Sequence, residues 1–289
     1  MDFIREPDTD YIAALSDSTI FQGDAEILLK QCPSSFFRCC VTSPPYWGLR
    51  DYQAEGQIGA EDDPNEYVDH LVAVFEQVRR VLTEDGTFWL NIGDSYTSGN
   101  RGYRAPDKKN PVRAMSYRAK TPQGLKPKDL VGVPWRLAFA LQEAGWYLRS
   151  DIVWEKPNCM PESVKDRPTR AHEYIFLFSK SLKYYYDHES IREPNGRNRR
   201  TVWSIPTEAF PGAHFATFPP KLVEPCILAG SEPHDWVLDP FFGSGTVGVV
   251  CEQQYRKYVG IELNPEYVKL AVDRIRNTDR LLFTFDQEA

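Results

Sequence analysis

The chain has 289 residues, 42% of them hydrophobic and 13% aromatic, enough to bury the core of one large α/β domain. Its formal net charge of −7 excludes a uniformly basic nucleic-acid coat protein. No apolar run reaches bilayer length, no charged leader precedes an apolar stretch, and the six cysteines (Cys32, Cys39, Cys40, Cys159, Cys226, Cys251) form no CxxC pair, so a reduced, cytoplasmic protein without a metal centre is expected.

Apolar and β-branched runs at 19–21, 39–42, 87–92, 147–154, 174–178, 236–238 and 258–261 predict buried strands. Between them, Val68, Leu71, Val74, Phe75, Val78 and Leu82 recur at the helical period over 67–82, and 134–144 and 265–275 follow the same period. This alternation predicts a single α/β domain over 1–289, its mainly parallel sheet covered on both faces. Two stretches rich in Gly, Pro, Asn and Arg, 97–127 and 187–211, break the rhythm. Loops of that length in a compact domain are usually functional or disordered, so both are candidate substrate contacts. Residues 101–128 carry nine Lys or Arg against one acid, Asp107, a formal +8, with Tyr103 and Tyr117 interleaved. Basic and aromatic residues in alternation grip phosphate and support an extruded base, which makes Arg101, Arg104, Lys108, Lys109, Arg113 and Arg118 candidate DNA contacts. A smaller basic cluster comprises Arg192, Arg197, Arg199 and Arg200.

The first motif with chemical content, Thr42-Ser43-Pro44-Pro45-Tyr46-Trp47, directly follows the apolar run 39–41 and so belongs at the carboxyl edge of the sheet, where open α/β sheets bind ligands. Consecutive prolines supply no N–H and push their predecessors into extended geometry, leaving the Ser43 and Pro44 carbonyls without a local partner. Such acceptors suit the planar amino group of cytosine or adenine, whose lone pair is delocalised into the ring until its hydrogens are held. The Ser43 side chain and the Pro44 carbonyl can hold them, and Tyr46 can stack on a base extruded from the helix. Extrusion costs a few kcal/mol, which stacking worth roughly 1 to 3 kcal/mol offsets in part.

Near the other end, 236–248 reads WVLDPFFGSGTVG: a strand, a glycine turn and a helix start in which Gly243, Gly245 and Gly248 satisfy GxGxxG. The next strand ends in Gly260-Ile-Glu262, which places an acid where ribose hydroxyls are bound. GxGxxG alone also fits a nicotinamide dinucleotide. Only 27 residues follow Glu262, however, fewer than a second mononucleotide half needs, so the rest of the sheet is expected from upstream, as in a circular permutation. Asp239, before the turn, suits a ligand with a cationic amino group, and S-adenosylmethionine has both that ammonium and a ribose.

Taken together these segments resemble the amino-methylating DNA methyltransferases of restriction–modification systems and phages, in the permuted beta class whose catalytic motif precedes the cofactor motif. Ser43-Pro44-Pro45-Tyr46 resembles the (D/N/S)PP(Y/F) catalytic motif, DPFFGSG at 239–245 the cofactor loop, GIELN at 260–264 the ribose-binding strand, and Gly23-Asp24 the motif whose acid approaches the donor's adenine. HFATFPPK at 214–221 resembles the segment that wraps the methionine end, although His214-Phe215 replaces the usual His-Pro and leaves the role of His214 open. The resemblance implies a Rossmann-like S-adenosylmethionine-dependent methyltransferase fold, with a seven-stranded, mostly parallel sheet containing one reversed strand. It implies donor contacts from Asp24, Thr42, Asp239, Phe241, Gly243, Ser244, Gly245, Thr246, Glu262 and Leu263, catalysis by Ser43, Pro44, Pro45 and Tyr46, and target recognition by the central region. The implied partners are duplex DNA and a cognate restriction endonuclease, with the chain a monomer or homodimer and the gene prokaryotic or phage-borne. Serine at the first motif position is commoner among N4-cytosine enzymes and aspartate among N6-adenine enzymes, so N4-cytosine is the expected target. The alternatives are N6-adenine, an RNA or protein amide, a DNA-binding relative without turnover and, more remotely, a nicotinamide-dependent enzyme.

Overall fold

The computed structural model describes residues 4–5, 15–49, 56–98, 119–208 and 218–278. Among them nine strands form one sheet: β1 (Ile4–Arg5), β2 (Thr19–Gln22), β3 (Phe37–Thr42), β4 (Leu82–Ile92), β5 (Tyr147–Glu155), β6 (His172–Ser179), β7 (Val202–Ser204), β8 (Trp236–Asp239) and β9 (Lys257–Glu262). Six helices accompany them: α1 (Ala25–Gln31), α2 (Pro64–Val81), α3 (Val133–Glu143), α4 (Pro220–Gly230), α5 (Thr246–Gln253) and α6 (Pro265–Arg276).

Helix starts are written into the sequence as caps. Asp24 accepts the Ile27 N–H at 2.9 Å, Asp63 that of Asn65 at 2.8 Å ahead of Pro64, and Asn264 that of Glu266 at 2.9 Å ahead of Pro265. Each side chain satisfies an N–H that the first helical turn leaves orphaned, and proline in that turn loses no hydrogen bond. The apolar stripe foreseen over 67–82 is buried, with Leu71, Phe75 and Val78 of α2 fully enclosed and Leu82, also enclosed, opening β4. Adjacent strand residues face opposite layers: Cys40, Phe88, Leu90 and Leu238 pack with α1, α2 and α3, and Cys39, Val41, Trp89 and Val237 with α4, α5 and α6. The result is the expected three-layer α/β arrangement. Among the described residues, no helix is long and apolar enough to cross a membrane.

The strand order is β1-β2-β9-β8-β3-β4-β6-β5-β7, and every neighbour pair runs parallel except those of β6, which is antiparallel to β4 and β5. Seven of these strands reproduce the expected sheet with one reversed member. The two short edge strands β1 and β7 extend it to nine. β7 also revises part of the second predicted loop, because Val202–Ser204 joins the sheet edge while 188–201 stays irregular and largely exposed apart from Ile191. Ile191, Trp203 and Ile205 are buried, Trp154 Nε1 donates to the Ile205 carbonyl at 2.8 Å, and β7 pairs with β5. One large aromatic, Trp203, and a backbone ladder make a three-residue sheet edge within an otherwise irregular segment.

The first predicted loop is described only at its ends, and these meet. Thr97 N–H donates to Asp129 O at 3.0 Å, Thr97 Oγ1 to Lys126 O at 2.7 Å and Ser98 Oγ to Ala119 O at 2.9 Å. A closed neck therefore stands just beyond β4, at the carboxyl edge of the parallel strands. Arg101, Arg104, Lys108, Lys109, Arg113 and Arg118 lie outside the described residues, as does His214.

Candidate active site

Parallel pairing brings the carboxyl ends of β2, β9, β8, β3 and β4 side by side, and the turns that leave them hold most of the residues singled out in the sequence. The early and late motifs meet directly: Thr42 Oγ1 donates to Asp239 Oδ1 at 2.6 Å, linking the ends of β3 and β8 across 197 positions. Asp239 is fully buried, and its Oδ1 also accepts the Phe241 N–H at 3.0 Å. Its other oxygen, Oδ2, is buried without a hydrogen-bond partner. Burial pushes the Asp239 carboxyl up to about 7, opposed by the bonds from Thr42 and Phe241 and reinforced by Glu262.

The glycine turn after β8 divides its labour. Gly243 and Gly245 have φ of 52° and 77°, a backbone that favours glycine. A Cβ on Gly245 would lie 2.9 Å from Ala271 Cβ of α6, whereas one on Gly243 would meet nothing closer than 3.9 Å. Gly245 is thus a packing glycine, and Gly243 faces open space. The Gly243 N–H donates to Glu262 Oε2 at 2.7 Å and the Asn264 N–H to Glu262 Oε1 at 2.8 Å, while the Gly23 N–H donates to the Glu262 carbonyl at 2.9 Å. One residue therefore joins the turns after β8, β9 and β2. Burial, the largest cause, holds the Glu262 carboxyl above its usual range despite these N–H bonds.

Asp24 stands beside this junction with Oδ1 engaged in capping α1. Phe241 and Leu263 are half-buried at the same edge. The hydroxyls of Ser244 and Thr246, two residues expected at the donor, are buried and bonded to Arg274 of α6, at 3.1 and 2.9 Å. These two side chains brace the turn from beneath.

At the other half of the cleft, the motif Ser43-Pro44-Pro45-Tyr46 leaves β3 as expected. Tyr67 Oη donates to the Pro45 carbonyl at 2.7 Å, whereas no donor among the described residues reaches the Ser43 or Pro44 carbonyl. The Tyr46 ring lies against Gly93, where a Cβ would come within 2.7 Å of Cε2. Its hydroxyl sits 2.8 Å from Glu173 Oε2 and 3.2 Å from Asn91 Oδ1, and accepts from Ser43 Oγ at 3.3 Å. Lys156 forms an ion pair with Glu173 Oε1. The sequence reading missed Glu173, Asn91 and Lys156. Asn91 had left a signal, being a polar residue inside the apolar run 87–92 and only 4% exposed. Beside them, Asp94 Oδ1 accepts the N–H groups of Ser95, Gly132 and Val133 at 2.9, 2.9 and 3.0 Å and so fixes the start of α3.

A buried acid aimed below a glycine turn, an acid joining the next two strand ends, and paired acceptors on the adjoining turn define a nucleotide-cofactor transferase of the S-adenosylmethionine-dependent methyltransferase fold. Residues 37–273 match the N6/N4 methyltransferase family described as DNA methylase, and the chain belongs to that family. It is similar to the type II methyltransferase M.Cfr9I of Citrobacter freundii, 65% identical over 269 residues that cover 92% of this chain and 90% of the relative. Among solved structures, it resembles the PvuII DNA methyltransferase (cytosine-N4-specific), with a TM-score of 0.69 at 24% identity, covering 93% and 89% of the two chains, a likeness of fold. It also resembles TTHA0409 of Thermus thermophilus, a putative DNA modification methylase, in complex with S-adenosyl-L-methionine, with a TM-score of 0.65 at 26% identity over 91% and 95% of the chains. The chain is accordingly a site-specific DNA methyltransferase of type II, and its donor is S-adenosyl-L-methionine. The residues fit that donor: the unpartnered Asp239 Oδ2 suits its ammonium, Glu262 its ribose, and the open side of Gly243 a close approach to the backbone.

Proposed function

We propose that the protein transfers the methyl group to the exocyclic N4 of cytosine in duplex DNA, on a base extruded into the cleft between the turns after β3 and β8. The observation that carries this reading is the 2.6 Å bond from Thr42 to Asp239, which sets the acceptor motif and the donor-binding turn against each other. When bound, the donor supplies an electrophilic methyl group on a sulfonium cation. Asp239, Glu262, Asp24 and the backbone around Gly243 hold it, with Thr42, Phe241, Gly245 and Leu263 shaping the seat. Ser43 Oγ and the Pro44 carbonyl accept the two amino hydrogens, so that the nitrogen lone pair turns out of conjugation toward the methyl group. Tyr46 covers the base. Pro45, tied to Tyr67, fixes the strand exit that presents these groups.

Ser43 is what favours cytosine over adenine, being the residue type that the resemblance associates with N4 transfer. The described ends of the basic segment 97–127 meet in a neck beside the catalytic turn, which favours Arg101, Arg104, Lys108, Lys109, Arg113 and Arg118 as phosphate contacts, with 187–211, which includes β7, as a second DNA-facing element. The same reading includes a cytoplasmic, prokaryotic or phage-encoded enzyme accompanied by a cognate endonuclease. Incubation with labelled donor and mixed-sequence duplex DNA, followed by nucleoside mass spectrometry, tests it. N4-methylcytosine is expected, N6-methyladenine would transfer the reading to adenine, and no labelled nucleoside would end both.

A further inference from the structure

The residues around Tyr46 raise a question of direction. A phenol has one proton and two lone pairs, and a serine hydroxyl likewise, so which of them donates is set by their neighbours. Tyr46 Oη faces two oxygens, Glu173 Oε2 at 2.8 Å and Asn91 Oδ1 at 3.2 Å. The orientation of the Asn91 amide is fixed because its Nδ2 donates to the Tyr174 carbonyl at 3.1 Å and faces Glu173 Oε2 at 3.4 Å, which leaves Oδ1 toward the phenol. Lys156 occupies the other Glu173 oxygen, with its Nζ 4.1 Å from the Trp154 ring centroid. Both partners of the phenol on this side are therefore acceptors, and its single proton must point to one of them. What remains to Tyr46 is to accept, and the Ser43 hydroxyl stands within reach to donate at 3.3 Å.

We propose that Glu173, paired with Lys156, is a positioning residue for the transfer reaction: through Tyr46 it turns the Ser43 proton inward and so leaves the Ser43 lone pairs facing the target amino group. The chain of polarity runs from Ser43 to Tyr46 to Glu173. Without it the Ser43 hydroxyl is free to point its proton at the base, where it would oppose the amino hydrogens instead of accepting one. β6 is the reversed strand, and its reversal is what brings the start of that strand, with Glu173, to the edge where the other strands end. The inference rests on the reading of Ser43 as an acceptor for an amino group and holds for cytosine or adenine alike.

A double-variant cycle tests it on the full chain, with duplex DNA and S-adenosylmethionine as substrates. Glu173→Gln replaces the carboxylate by an amide whose N–H competes with Ser43 for the phenol oxygen, and Tyr46→Phe keeps the ring but deletes the relay. Each single variant is expected to lower single-turnover methyl transfer by about 10- to 100-fold, the size of a lost hydrogen bond to a charged group. Donor and DNA affinities should stay at the wild-type values, which also confirms that the variants fold. The decisive quantity is the double variant Y46F/E173Q, which should be no slower than Y46F alone, since Glu173 then has nothing to act through. Losses that multiply would show that Glu173 acts independently of Tyr46 and would overturn the proposal while leaving the transferase reading intact. A wild-type protein that methylates no amino group would sink both.

Discussion

Asp239 gives the sharpest quantitative handle on the site. Its carboxyl is moved by burial from 3.8 to about 7, a rise of some three pH units that corresponds to about 4 kcal/mol at 1.36 kcal/mol per unit. The native state therefore holds a proton that the unfolded state releases near pH 3.8. Stability contributed by this residue is greatest at low pH, falls as pH rises from about 4 to 7, and stays at its lower level above that. An asparagine side chain in its place has the same shape and no charge to bury. In urea unfolding at pH 8, Asp239→Asn should be more stable than wild type by up to about 4 kcal/mol, and the gap should close toward pH 4. Donor binding should move the opposite way. An ammonium near Oδ2 favours the ionised carboxylate, so wild-type affinity for S-adenosylmethionine should rise by up to about tenfold per pH unit as pH approaches about 7 from below, with proton release. The window closes near pH 8, where α-amino groups themselves titrate. Calorimetry in two buffers of different ionisation enthalpy measures both affinity and released protons. Asp239→Asn should lose about 10- to 100-fold in donor affinity together with the pH dependence. A donor affinity flat across this range, or an Asn variant no more stable at pH 8 than at pH 4 relative to wild type, would refute the reasoning.

Three further outcomes follow from the geometry. Glu262→Gln should weaken donor binding by about tenfold or more in calorimetry and leave DNA affinity unchanged, because the residue joins three donor-side turns and none of the acceptor motif. Gly260→Ala places a methyl group 2.4 Å from the Phe242 ring and should destabilise the protein by about 1 to 3 kcal/mol in urea unfolding, measured with the donor absent. Replacing Lys108, Lys109 and Arg113 with alanine should weaken DNA binding and flatten its salt dependence by roughly 0.9 log unit per lost phosphate contact in fluorescence titrations, with unchanged affinity at every salt concentration counting against segment 97–127 as a DNA grip.

The sheet was legible because most of its strands are buried and read as continuous apolar runs, so all seven expected strands begin and end within two residues of the observed ones except that β4 begins five residues earlier. What escaped is instructive. β7 has three residues, one of them buried, and no period can be read from Val202–Ser204. α4 carries Pro225 within its span, and α1 has only seven residues. The meeting of the glycine turn with the acids at the strand ends was readable because glycines and acids there have a local reason to be present. The partner that the Ser244 and Thr246 hydroxyls take was not legible, since their place in the motif says nothing of Arg274, thirty and twenty-eight positions away.

Glu173 shows where the rule that ligands gather at carboxyl strand ends needs its topological complement. In an all-parallel sheet, a residue at the start of a strand belongs to the far side of the molecule. One reversed strand exchanges the two edges for that strand alone: Glu173 pairs in register with Trp154, near the end of β5, and Tyr174 with Ile92, the end of β4. The amino end of β6 thus contributes a carboxylate to an edge otherwise built from carboxyl ends, beside the one motif whose hydroxyls need a direction imposed on them. The permuted order of the motifs is harmless for a related reason. The site is assembled by neighbours in the sheet, β8 beside β3, and any chain order that keeps that adjacency keeps the bond between Thr42 and Asp239.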